Sequence, residues 1–125
     1  MYRFYIPAFT WTVIVVFLSL MPSSSLPKHQ LFFDGFDKVL HFGFYSIMSF
    51  LWIAGFKRQN NSTKIRDKAF LIGSLLSFSI GLFTEVAQEL FTKNRYFELL
   101  DLIANGIGCI FGIIIFRLVY KNYYK

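Results

Sequence analysis

Residues 69–91 read AFLIGSLLSFSIGLFTEVAQELF, and this stretch decides the fold. It carries no charge before Glu85. At about 1.5 Å per residue, a helix of this length crosses a hydrocarbon core about 30 Å thick. Gly73, Ser77 and Gly81 fall four apart, so they line one face of that helix, and the line runs on into Glu85 and Gln88. Small residues let membrane helices approach closely, so this face packs against neighbours. The polar groups that continue it then point into a bundle. A carboxylate within a spanning helix is costly, and it marks a functional site or an internal polar network.

Three further apolar stretches flank this one, at residues 4–21, 39–56 and 99–120. Together they explain why 55% of the chain is hydrophobic and only 16% charged, against about 25% charged in a soluble domain. The connections, residues 22–38, 57–68 and 92–98, leave no room for a soluble domain. The expected fold is therefore an all-α integral membrane protein, a bundle of four transmembrane helices forming one domain over residues 1–125. The first stretch has a second reading as a signal peptide, with Arg3 ahead of the apolar run and Ser23–Ser25 near a cleavage site. The single cysteine, Cys109, lies among Ile and Gly and reads as a packing residue.

Charge distribution orients the bundle. With four spans, Arg3, Lys57, Arg58, Lys64, Arg66, Lys68, Arg117, Lys121 and Lys125 share one side, leaving Lys28, Lys38, Lys93 and Arg95 on the other. The positive-inside rule then places both termini in the cytoplasm. The net charge of +6 is thus a matter of topology and not of nucleic-acid binding, because no soluble basic groove exists between the apolar stretches. Every acidic residue except Asp67 falls toward the outer side. Acidic residues weigh little in topology, and a site at the outer face accounts for their bias.

The polar residues near that face come from three helices. Asp37, His41 and Tyr45 follow one another at spacings of four, Glu85 and Gln88 close the third stretch, and Asp101 and Asn105 open the fourth ahead of Gly108 and Gly112. Asp37 is placed to orient the His41 imidazole, which with Glu85 forms a candidate acid–base pair. Asp37 and Asp101 also have a plainer reading as carboxylates stabilised at helix N-termini. Arg95 and Lys38 suit an anionic group, Arg95 through a bidentate guanidinium, or Arg95 ties its own loop to Glu98 or Asp101. Tyr45, Gln88, Asp101 and Asn105 complete the set of candidate ligand-binding residues. No cofactor is expected. A divalent metal is the secondary reading of one His among carboxylates and amides, and no serine-nucleophile elbow is present.

Asp37-Lys38-x-x-His41-Phe42-x-x-Tyr45, then Glu85-x-x-Gln88, then Arg95 followed by Asp101-x-x-x-Asn105-x-x-Gly108, resembles the VanZ-like family of small bacterial membrane proteins. The resemblance covers residues 37–112, and the first stretch fits by position. Glu98 stands where the family pattern commonly has Asp. The resemblance implies a multi-pass protein of the bacterial cytoplasmic membrane. Through the family's founding member, it also implies an association with low-level resistance to teicoplanin-type glycopeptides. It does not imply a reaction.

Three functional readings follow. The first is an outward-facing site that acts on or binds a lipid-linked or amphiphilic molecule, by acid–base hydrolysis or transfer if it is an enzyme. The second is a non-catalytic binding or shielding protein using the same groups. The third is a polar network that only specifies helix packing, with function left to a partner. The expected surroundings are the lipid bilayer and a lipid-linked or glycopeptide ligand. Transport fits poorly, since the chain is too small for the inverted repeats of typical carriers.

Overall fold

The apolar stretches form helices, which satisfy every backbone group within a single segment when surrounded by hydrocarbon. The computed structural model describes residues 2–20, 36–59, 63–91 and 99–120, leaving the side chains of Tyr2, Phe36 and Asp37 outside that description. A 3-10 turn at Tyr2–Tyr5 leads into α1 (Ile6–Ser19), followed by α2 (Phe36–Arg58), the short α3 (Thr63–Asp67), α4 (Ala69–Phe91) and α5 (Leu99–Val119). Among the described residues every element is helical.

Three helices are long and apolar enough to cross a membrane: Lys38–Arg58, Ala69–Phe91 and Leu99–Val119. The expected bounds of the third stretch match α4, whereas α2 runs further at both ends than residues 39–56. The first stretch, expected as a fourth span over residues 4–21, is shorter. Its apolar helix, Arg3–Ser19, falls short of that length, and the α-helical part has 14 residues, with a proline in its first turn. Pro7 supplies no amide hydrogen and its fixed φ suits a helix start, so regular α-helix begins there and what precedes it winds as 3-10. The 57–68 connection holds α3. Lys68 alone separates α3 from α4, with backbone bonds running through it from Ile72 and on to Lys64.

α2 is the hub and touches every other element. α1 and α4 end where α2 and α5 begin, so neighbours in sequence run antiparallel. Glycines set how closely the helices meet. A Cβ on Gly108 would lie 2.5 Å from the Phe42 carbonyl oxygen, and one on Gly112 would lie 2.6 Å from the Ser46 carbonyl oxygen. α5 therefore seats directly on the α2 backbone, and Gly108-x-x-x-Gly112 is used within the chain. Gly73 does the same for α4, where a Cβ would meet Ile53 at 2.7 Å. Lipid tails are as apolar as leucine, so close packing and interhelical hydrogen bonds hold such a bundle together. Three of these bonds are Ser49 Oγ donating to the Cys109 carbonyl at 2.9 Å, Trp11 Nε1 to the Phe44 carbonyl at 2.9 Å, and Trp52 Nε1 to Thr12 Oγ1 at 3.0 Å. Cys109 is buried in the same core as Tyr45 and Met48.

The two ends of the bundle are filled differently. One end is aromatic: buried Phe116 packs on Phe50, Phe70 and Tyr120, with ring centroids 5.6, 5.7 and 4.8 Å away. At the other end the same three long helices bury carboxylates, amides and hydroxyls.

Candidate functional site

Helix phase assembles the polar end. On α4 the buried positions Ala69, Gly73, Ser77, Gly81, Thr84, Glu85 and Gln88 recur at three and four residues, so the face that packs is the face that carries the carboxylate. α5 buries Asp101, Asn105, Gly108 and Gly112 by the same rule. α2 contributes Lys38, His41 and Tyr45 from its first turns.

His41 sits at the centre. Its Nδ1 donates to Asn105 Oδ1 at 3.0 Å, an arrangement in which the amide oxygen can only accept. The same nitrogen lies 3.9 Å from Glu85 Oε1, inside Coulombic range but beyond hydrogen-bond reach. Nε2, on the far side of the ring, faces Asp101 Oδ2 across 3.8 Å. Asp101 in turn holds the Lys38 ammonium, with Nζ 3.0 Å from Oδ1. Side-chain exposure falls from 27% at Lys38 through 14% at His41 to zero at Glu85. The cluster is therefore reached from the end of the bundle where α2 and α5 start, and Glu85 is its innermost member. A fixed imidazole whose second nitrogen faces a gap beside a carboxylate is equipped to take or return a proton.

The groups beneath and beside the cluster hold it in place. Tyr45 is fully buried and bonds Thr84 Oγ1 at 3.1 Å, while Thr84 is itself bonded to the Gly81 carbonyl at 2.9 Å. Gly81 leaves space for the site, since a Cβ there would lie 2.8 Å from Asn105 Nδ2 and 3.3 Å from Tyr45 Cε1. Gln88 turns away from His41 and donates from Nε2 to the Ser19 carbonyl at 2.6 Å, which ties the end of α1 to α4. Asn105 is fully buried, yet its Nδ2 has no hydrogen-bond partner among the described residues.

His41, Glu85 and Asp101 each offer a ligand atom within 4.8 Å of the others, a set of one imidazole and two carboxylates that suits a borderline divalent ion. The Lys38 ammonium competes with a cation for Asp101.

Of the residues picked out in the sequence, the structure brings together Lys38, His41, Glu85, Asp101 and Asn105. Tyr45 lies below them and Gln88 serves α1. The Asp37 side chain, Arg95 and Glu98 lie outside the described residues. Thr84, which fixes Tyr45, was not picked out. Its position one residue before Glu85, and four before Gln88, places it on the packed face.

A family model described as VanZ/LLP1 matches residues 3–120. The chain belongs to the VanZ/LLP1 family. The match takes in the first helix as well as the motif-bearing region that resembled the family in sequence. No curated protein and no solved structure matches. Membership in VanZ/LLP1, together with three helices of spanning length, makes this a VanZ-like membrane protein.

Proposed function

We propose that this VanZ-like protein serves the bacterial cell envelope, with the His41–Glu85–Asp101 cluster binding an amphiphilic or lipid-linked molecule and exchanging protons with it. With the first helix taken as a fourth span, the distribution of Lys and Arg puts both termini in the cytoplasm, and the cluster then opens toward the outer leaflet. Lys38, the most exposed member, meets the head group, while His41 Nε2 is the base that faces it.

The observation that carries the reading is the buried Asn105 amide beside this imidazole. A network evolved only for packing satisfies its buried donors, because each one left unmade costs about 1–3 kcal/mol. Here Nδ2 has no partner among the described residues, on the same amide whose Oδ1 holds the His41 ring. The Lys38–Asp101 and His41–Asn105 contacts favour a second reading, in which the cluster locks α2 to α5 and does no more.

Teicoplanin susceptibility in a sensitive Gram-positive host separates the two. Wild type, Glu85→Gln and His41→Gln are compared with empty vector at matched membrane levels. Protection by wild type that is lost in both variants, with thermal stability retained, is the expected result. Protection kept by both variants would falsify the functional role of the cluster and leave it structural. No protection by wild type removes teicoplanin as the phenotype, and bound lipid is then sought by native mass spectrometry.

A further inference from the structure

At the aromatic end, the 3-10 turn and the start of α1 lie across α2. Gly55 makes the crossing close: a Cβ there would sit 2.9 Å from Tyr5 Cδ1 and 3.0 Å from the Phe4 carbonyl oxygen. Beside the crossing is a groove of about 420 Å³ lined by Tyr5, Ile6, Phe9, Trp52 and Phe56. Its rim residues Ile6 and Phe9 are 59% and 62% exposed, whereas Trp52 at its floor is 8% exposed and stacks on Phe56 at 5.7 Å.

An apolar surface on a membrane protein meets lipid in any case, so the lining alone singles nothing out. The charges next to its lining residues in the chain do, with Phe4 adjoining Tyr5 and Arg58 two residues past Phe56. Arg3 and Arg58 both stack on the Phe4 ring, their guanidinium carbons 5.4 and 5.1 Å from its centroid. Both side chains are exposed, and among the described residues neither has a carboxylate within ion-pair distance. Two like charges thus attend one aromatic ring, and an anion beside them lowers their mutual repulsion. The guanidinium fork fits phosphate oxygens in a way an ammonium does not.

We propose that this groove holds one anionic phospholipid from the leaflet at the basic end, its phosphate gripped by Arg3 and Arg58 and a segment of acyl chain lying over Trp52. Charge complementarity selects this occupant. A zwitterionic lipid carries its own cation beside the phosphate, a soluble anion leaves the apolar floor uncovered, and a second copy of the chain brings the same two arginines against themselves. The site is independent of the His41 cluster at the opposite end. Anionic lipids are drawn to such basic positions in general, and the groove converts that attraction into a defined place.

Native mass spectrometry of the purified protein, equilibrated with dioleoyl phosphatidylglycerol or dioleoyl phosphatidylcholine at equal mole fraction, tests it. One retained adduct is expected, favouring phosphatidylglycerol by about tenfold, in line with two arginines at a charged surface. The double variant Arg3→Gln, Arg58→Gln removes that preference, and Arg3→Lys, Arg58→Lys restores part of it. A second measurement uses the wild type alone. Trace phosphatidylglycerol with brominated acyl chains, in a phosphatidylcholine membrane, should quench tryptophan fluorescence more than trace brominated phosphatidylcholine does in phosphatidylglycerol. Equal quenching, equal retention of the two lipids, or a preference unchanged in the glutamine variant overturns the proposal. So does inorganic phosphate stabilising the protein as well as phosphatidylglycerol does.

Discussion

The same three helices build both ends of this bundle, yet they are held together there by different means. At the aromatic end Phe116 is buried among Phe50, Phe70 and Tyr120, large rings whose attraction comes from contact area. At the polar end α4 and α5 present Gly81, Glu85, Asp101 and Asn105 to Lys38, His41 and Tyr45, a set that is expensive to bury. If packing were the only requirement, rings at both ends would serve. On the function proposed above, the contrast gives stability to one end and ligand binding to the other, with the glycine seats of Gly108 and Gly112 joining them.

The largest effect expected is on the seat itself. Gly108→Leu drives a branched side chain into the Phe42 carbonyl, where even a Cβ stands at 2.5 Å. The cost exceeds about 3 kcal/mol, the upper range for overpacking, because the obstacle is backbone that cannot rotate away. Loss of monodisperse protein on gel filtration is the readout. A variant that purifies normally would mean α5 is not seated there.

Phe116→Ala tests the aromatic end. A cavity there costs about 2–3 kcal/mol, less than in a soluble core because exposed phenylalanine in lipid is not penalised as it is in water. The thermal midpoint in detergent should fall while any activity per folded molecule stays unchanged. If activity falls with a steady midpoint, the division of labour between the ends is wrong.

Gly81→Ala acts at the border of the polar cluster. The added methyl presses on Asn105 Nδ2 and on Tyr45, at a cost of about 1–2 kcal/mol. Its effect on function should be larger than its effect on the midpoint, the reverse of Phe116→Ala. The smallest change is Gly43→Ala on α2, whose Cβ meets nothing within 4 Å. It should shift stability by no more than about 0.5 kcal/mol, and a larger loss would indicate that this face is covered in the membrane.

How much of this was legible in the sequence depended on whether a residue's partner lay on its own helix. The α4 bounds and its packed face were readable because Gly73, Ser77, Gly81 and Glu85 repeat at helical spacing within a single stretch. That His41, Glu85, Asp101 and Asn105 converge was readable for the same reason, as each continues a line of residues on its own helix. The pairings were not. Lys38 on Asp101, Tyr45 on Thr84 and Gln88 on Ser19 join different helices, and no spacing rule fixes such registers. α3 also escaped notice, because five residues rich in charge carry no apolar period. The shortness of α1 was hidden by counting apolar residues without allowing for where Pro7 starts the α-helix.

That shortness has a consequence for the membrane itself. An α-helix of 14 residues extends about 21 Å, against about 30 Å of hydrocarbon, while α4 with 23 residues covers the full depth. The Gln88–Ser19 bond fixes the end of the short helix beside the innermost part of the cluster. The 3-10 turn Tyr2–Tyr5 lengthens that helix at the other end, and a segment still shorter than the hydrocarbon is matched in a bilayer by local thinning or by its flanking residues.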